Sequence, residues 1–254
     1  MKKLAIGATV VLMTAAPVFA ADLYLEPPPE IPVVIPTGGW YLRGHIGMSN
    51  QRVDKLSHPG FDIVSGHEFL DDGGFDSAPI GGIGFGYQFN DWLRTDAIVE
   101  YRGKTDFSAL DRYEDGVGGY RTNEYDGKKS EWLLMANVYF DLGEYYGIVP
   151  YVGAGIGAAR NTISNFRDVD VIGGSVAYAD EDPKWNLAWA LHAGLGYQVN
   201  DRLSIDFGYT YLNLGDAQTG TINTFDGYPV EPASMKFENI TSHDFKIGVR
   251  YSLQ

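Results

Sequence analysis

From Trp40 onward the chain carries eight segments in which side chains alternate in character with a period of two, and one of the two faces is apolar. The stretch "WLRTDAIVEYR", Trp92 to Arg102, shows the pattern. Leu93, Thr95, Ala97, Val99 and Tyr101 share one parity, while Arg94, Asp96, Glu100 and Arg102 share the other with only Ile98 among them. A period of two is a strand whose side chains leave on opposite faces. The segments run about 40–49, 80–89, 93–102, 131–142, 149–160, 185–199, 202–212 and 242–253, with almost no helical pattern between them.

The gaps constrain the fold further. Four are long, roughly 50–79, 103–130, 161–184 and 213–241, and three are short: Asn90–Asp91, Gly143–Ile148 and Asn200–Asp201. Long and short gaps alternate strictly, which gathers every long connection at one end and every tight turn at the other. An even number of segments of about ten residues, joined in this way, is the form of a barrel that crosses the bacterial outer membrane. The expected fold class is all-β: an eight-stranded antiparallel transmembrane β-barrel with four long extracellular loops and short periplasmic turns.

The apolar face carries Leu42, Ile46, Ile83, Phe85, Leu134, Val138, Leu187, Leu191, Leu195, Phe207, Phe245, Ile247 and Val249 among others. The opposite face holds Arg43, His45, Gln88, Arg94, Asp96, Glu100, Arg102, Glu131, Asn137, Asp206, Asp244, Lys246 and Arg250 besides glycine and alanine. In a membrane the first face turns to lipid and the second lines the lumen. Tyr101, Trp132, Trp185, Tyr209 and Tyr211 then fall at the outer rim, and Trp40, Phe89, Phe140, Tyr197 and Tyr251 at the periplasmic rim, as two aromatic girdles. The rival is a soluble eight-stranded barrel of the lipocalin kind. It would crowd large aromatics into a lumen barely wide enough for side chains.

A charge turned into a lumen needs a partner, because an unpaired buried charge costs several kcal/mol. Arg43, Arg94, Arg102, Lys246 and Arg250 face Asp96, Glu100, Glu131, Asp206 and Asp244. This near balance predicts a cross-linked, plugged lumen rather than an open pore.

The N-terminus fits export. Lys2 and Lys3 precede the apolar run Leu4–Val18, and "VFA" supplies the small residues of a cleavage site after Ala20. The run is too short for a membrane anchor of about 20 residues. The expected organisation is a signal peptide at 1–20, a stiff Pro-rich periplasmic segment at 21–38, and the barrel at 39–254. Without the two leader lysines the charge falls from −14 to −16, which excludes non-specific nucleic-acid binding. The chain has no cysteine, so neither a disulfide scaffold nor a lipid-anchored N-terminus is available. The four long gaps hold 21 acids against 10 bases, an acidic extracellular end.

Three stretches, "PYVGAGIGAAR", "LHAGLGYQVNDRLSIDFGYTYL" and "HDFKIGVRY", resemble the small porin-family, opacity-type outer-membrane proteins, the major surface proteins of alphaproteobacteria among them. The likeness covers roughly Trp40 to Leu253. It implies an eight-stranded barrel with structural, envelope-integrity and host-contact roles. Members of that family usually end on an aromatic residue that the barrel-assembly machinery reads; here the last residues are Ser252, Leu253 and Gln254.

Other motifs read as structural. "GAGIGA", Gly153–Ala158, formally matches a dinucleotide pattern, but no helix follows and the βαβ context is missing. Glycines facing the lumen instead make room for long side chains. His45, His58, His67, His192 and His243 show no metal spacing, and no serine accompanies His192 or His243 in the manner of a lipid hydrolase. Asp71–Asp72, Asp168–Asp170 and Asp180–Asp182 lack the EF-hand pattern and read as solvated loop charge. No catalytic, cofactor or metal residues are assigned. Two function classes stay open: a non-catalytic surface and envelope protein, and a small diffusion channel, with a lipid-modifying enzyme a distant third. The expected partners are outer-membrane lipid and lipopolysaccharide, the assembly machinery, and a host or cell-surface partner at the loops.

Overall fold

The computed structural model describes residues 38–225 and 234–253. The leader, its cleavage site, nearly all of the Pro-rich segment and part of the fourth long gap lie outside the described residues. The strands are β1 (Gly39–Arg52), β2 (Lys55–Ser57), β3 (Glu68–Phe75), β4 (Ala78–Gln88), β5 (Leu93–Glu114), β6 (Tyr120–Arg121), β7 (Asn123–Asp141), β8 (Ile148–Asp170), β9 (Val176–Glu181), β10 (Lys184–Gln198), β11 (Leu203–Thr224) and β12 (Lys236–Ser252). Eight of them pair antiparallel in the ring β1–β4–β5–β7–β8–β10–β11–β12, and β12 returns to β1. The short strands β2, β3, β6 and β9 are additions: β2 lies on β12, β3 and β6 on β5, and β9 bridges β8 and β11. Among the described residues no helix is long and apolar enough to cross a membrane.

The tight turns come from residue chemistry. Asn90 Oδ1 accepts from the backbone N–H groups of Trp92 and Leu93 at 3.0 and 2.8 Å. Asn200 repeats the arrangement with Arg202 and Leu203 at 3.0 and 2.9 Å. An asparagine carbonyl that mimics the backbone closes such a turn locally, which is why the same "ND" pair stands at both places.

The parity read from sequence is the parity of the wall. On β5, Arg94, Asp96, Ile98, Glu100 and Arg102 are buried inside, whereas Ala97, Val99 and Tyr101 are exposed on the outer surface. Leu187, Leu191, Leu195, Phe207, Phe245 and Ile247 are exposed likewise, the arrangement that suits lipid.

The long connections differ from the expectation. The strands do not stop at the outer rim: β5, β8 and β11 run for 22, 23 and 22 residues, about twice the 9–11 that a tilted strand needs to cross the bilayer. Above the rim the polarity inverts. Phe75, Phe107, Ile163, Phe166, Leu214, Phe237 and Ile240 fill the interior as an apolar core, while Lys104, Asp106 and Arg167 stand outside. The switch is made by register shifts at Arg102/Thr105, Asp126/Lys128, Asn213/Gly215 and Gly215/Ala217. Each bulge adds a residue and transfers the next side chains to the other face. Asn165, Asn239 and Gly215, beside these steps, have φ of 55°, 53° and 71°, a left-handed conformation that Asn and Gly tolerate best.

One consequence is directly measurable. Leu191→Arg, on the lipid face midway along β10, should cost about 2–4 kcal/mol, whereas Leu191→Ala keeps the face apolar. The fraction of protein that migrates as a compact, heat-modifiable barrel on unheated gels should fall sharply for the first change and little for the second.

Candidate functional site

Among the described residues, most of the buried charge lies in the lumen. Because β1, β5, β7, β11 and β12 each present alternate residues inward, their charges meet across the ring in two layers. In the lower layer Arg43 pairs with Asp96 at 2.6 Å, Arg94 with Asp141 at 3.0 Å, and Arg250 with Asp206 at 2.8 Å. Asp96 also accepts from Asn137 at 2.7 Å. Arg94 lies over the rings of Tyr139 and Tyr151, 4.3 and 4.7 Å from their centroids.

The upper layer centres on Arg102, whose side chain is fully buried. It bonds Glu100 at 2.7 Å, Asp244 at 2.7 Å, and the hydroxyls of Ser49 and Ser242 at 2.7 and 2.8 Å. Glu131 lies 3.6 Å from its Nε. Lys246 reaches Glu100 at 2.6 Å, His45 meets the same carboxylate at 2.7 Å, and Lys129 pairs with Glu131. These layers would desolvate charge at large cost, and their close pairing offsets it.

All ten lumen charges named from the sequence are ion-paired: Arg43, Arg94, Asp96, Asp206 and Arg250 in the lower layer, and Glu100, Arg102, Glu131, Asp244 and Lys246 in the upper one. Arg94 is the residue whose partner, Asp141, the sequence reading did not name, and Lys129, Ser49, Gln51 and Ser242 were missed with it. Their parity was the available signal. Of the rim aromatics, Trp40, Phe89, Tyr101, Trp132, Phe140, Trp185, Tyr197 and Tyr251 are exposed outward; Tyr209 and Tyr211 are half-buried, and Tyr209 bonds His243 at 2.6 Å.

"GAGIGA" has a packing role. Tyr139, Asn137 and Met135 on β7 lie opposite Gly153, Gly155 and Gly157 on β8, and a Cβ at Gly155 would come within 2.0 Å of the Asn137 amide oxygen. These glycines are the floor on which three inward side chains rest.

A vestibule of about 720 Å³ opens at the periplasmic end, lined by Gln88, Asp141, Glu144, Arg202 and Arg250. Deeper, between Arg43, Tyr139, His192 and Lys246, the free space falls to about 20 Å³, room for about one water. Above the upper layer stands the apolar core, so the lumen is closed twice by different means.

A polar cap covers that core. Asp111 accepts from Tyr125 at 2.8 Å and from the Asn123 N–H at 3.0 Å, and lies 3.0 Å from His67. Asp168 stands opposite Tyr125 in register and therefore faces inward too. Burial pushes its carboxyl up to about 7, with Asp111 and Asp170 adding to the shift. Asp170 is held low by the N–H groups of Gly173 and Ile172 and by Arg121 against the effect of its burial. The reading of Asp168–Asp170 as solvated loop charge is corrected accordingly: both end a strand and turn into the cap.

With this geometry in view, the sequence matches the outer membrane protein beta-barrel domain family over residues 6–252. The chain belongs to that family. An uncharacterised protein of Brucella abortus is 30% identical to it, with 92% of each chain covered. PagN, an outer membrane protein of Salmonella typhimurium, is 28% identical over 84% of this chain and 90% of its own. A candidate adhesin of Rickettsia prowazekii is 25% identical over 84% and 87%. The protein is an all-β barrel of the outer membrane of a Gram-negative bacterium.

Two outcomes follow. Arg102→Ala leaves Glu100, Glu131 and Asp244 buried without their shared cation and should cost about 3–5 kcal/mol in unfolding free energy, against about 0–1 kcal/mol for Lys128→Ala in the exposed pair with Asp106. Asp168 has a sign of its own. Its folded pKa is raised, so its contribution is full below the unfolded value of about 4 and is lost as pH rises through about 7. Amide exchange in β5, β7 and β8 above the girdle, corrected for intrinsic rate, should therefore slow between about pH 8 and about pH 5.5. Asp168→Asn should remove that difference.

Proposed function

We propose that the protein is a non-catalytic surface protein: a sealed barrel that holds an acidic crown outside the cell, where it contacts other surfaces and contributes to envelope integrity. The observation that carries this reading is the double closure of the lumen, by an ion-paired lattice and then by an apolar core. A diffusion channel needs a continuous polar path, and inward of the vestibule lined by Tyr41, Asp141 and Arg250 the free space among Arg43, Tyr139 and Lys246 is only about 20 Å³. Lipid hydrolysis of the serine type needs a serine placed against a histidine. His45, His192 and His243 bond Glu100, Thr210 with Asn137, and Tyr209, and no serine joins any of these sets.

The crown supports the contact role. Its tips expose Ile63, Val117, Ile172 and Phe225 above stems whose acids outnumber their bases, 21 to 10 across the four long gaps. Apolar tips on an acidic field suit a partner that is basic and partly apolar, and strands that run on past the membrane hold the tips rigidly. The naming of the Rickettsia relative as a candidate adhesin lends weight to host or cell contact, and the Brucella and Rickettsia relatives to the alphaproteobacterial group. The leader at 1–20, the tether at 21–38 and passage through the assembly machinery belong to this reading.

Cells that display the protein should bind cultured animal cells better than cells that lack it, and Val117→Ser with Ile172→Ser should weaken binding several-fold without loss of the compact gel form. Raised salt should weaken it as well. In planar bilayers the purified barrel should stay at baseline conductance; regular single-channel steps would favour the diffusion channel.

A further inference from the structure

The outward face is free of charge inside the membrane, and on one flank the first charge to appear is a cation set into the outer girdle itself. The register places Tyr101 of β5 opposite Trp132 of β7, Trp132 opposite Arg160 of β8, and Arg160 opposite Trp185 of β10. Residues directly opposite in antiparallel strands share a face. Trp132 and Trp185 point outward, 48% and 56% exposed, and Ala159 next to Arg160 is fully buried inside. Arg160 therefore faces outward, half-buried, with a tryptophan on either side. Among the described residues it has neither an ion pair nor a hydrogen bond from its side chain.

Two further cations follow on the same flank. Lys104 on β5 and Lys128 on β7 stand three and four positions beyond Tyr101 and Trp132, about 10–13 Å higher at the strand rise. Lys104 is exposed; Lys128 shares Asp106 at 2.5 Å.

Tryptophan rings settle at the headgroup level of a bilayer, so they fix the depth of Arg160 there. At that depth an arginine costs little, about 0–1 kcal/mol, and its guanidinium stands level with the lipid headgroup phosphates. The protein supplies no anion to it, although its extracellular end is rich in carboxylates. A guanidinium matches phosphate in bidentate fashion, and lysine stems can lie along the wall to bring their ammonium groups down toward the same headgroup.

We propose that Arg160, between Trp132 and Trp185 and below Lys104 and Lys128, binds the phosphorylated headgroup of an outer-leaflet glycolipid. The site needs only the membrane position of the barrel and is independent of any contact made by the crown. A first phosphate lies on Arg160, and the lysines neutralise charge carried higher on the sugar.

Native mass spectrometry of the folded barrel in detergent tests the site, with four probes: a bis-phosphorylated lipid A, its dephosphorylated form, phosphatidylglycerol and inorganic phosphate. Lipid A should bind, and Arg160→Gln should weaken it about tenfold, the scale of one charge-assisted bidentate contact. Arg160→Lys should retain part of the affinity. The double change Lys104→Gln and Lys128→Gln should weaken binding independently, so the test survives if Arg160→Gln fails to give the compact gel form. Arg52→Gln, on β1, should change nothing. Undiminished lipid A binding by both the Arg160→Gln and the double-lysine variants would overturn the site, as would an equal loss in Arg52→Gln. Equal binding of the dephosphorylated form would remove phosphate as the ligand. Equal binding of phosphatidylglycerol would overturn the glycolipid, and competition by inorganic phosphate at matching concentration would overturn the lipid.

Discussion

A backbone that crosses hydrocarbon has no solvent to bond to, and each unmet N–H or C=O there costs several kcal/mol. The pairing of β1 with β12, from Tyr41 with Ser252 to Arg52 with Thr241, removes the last free edge, and the rest of the structure depends on it. Once the ring is closed with eight strands, its interior is narrow. Long inward side chains fit only where the neighbouring strand offers no Cβ, as Tyr139 and Asn137 do over Gly153 and Gly155. The inward charges are largely desolvated there, and each is offset by a partner on another strand. Arg102 on β5 does this most fully, with Ser49 on β1, Ser242 and Asp244 on β12, and Glu131 on β7.

The second constraint appears where the strands leave the membrane. Outside becomes water and the same strand must reverse its pattern, polar outward and apolar inward. A perfect alternation cannot do this without a change in residue type at every position. A bulge does it in one step, and the register shifts that add a residue to β5, β8, β11 and β12 stand at or above the outer rim. The crown is thereby an ordered β-structure with a core of its own around Phe107, Phe166 and Phe237.

Much of this was legible in the sequence and part of it was not, for a definite reason. Between Trp40 and the outer rim a strict period of two survives, so the parity of Arg94, Asp96, Glu100 and Arg102 could be read one residue at a time. Beyond Arg102 the register slips, and Thr105, Phe107 and Ala109 face inward where continued alternation would have placed their neighbours. In a pattern of period two, an inverted strand interrupted by a bulge looks like a polar loop with scattered aromatics, as in the gaps 103–130 and 161–184. Asp141 and Lys129 kept the parity of Glu131 and escaped only because one sat at the end of a segment and the other beyond its start. The pairing of each charge belongs to register and to cross-ring geometry, which one strand's pattern does not contain.

The two seals respond to different physics, and their order along the axis matters. Ion pairs such as Arg102 with Glu100 and Asp244 weaken if a carboxylate is protonated, and exposed charges are further screened by salt. The apolar core above them depends on neither. A change of conditions that loosens one seal leaves the other in place, so opening the lumen would require two unrelated disruptions at once. The group placed to respond to mild acid, Asp168, lies above both seals, in the cap over the apolar core. Protonation there relieves repulsion against Asp111 and Asp170 and tightens the outermost turn of structure, while the barrel below stays closed. The response of Asp168 to acid therefore acts on the part of the molecule that meets the outside, above a barrel whose closure does not depend on that carboxyl.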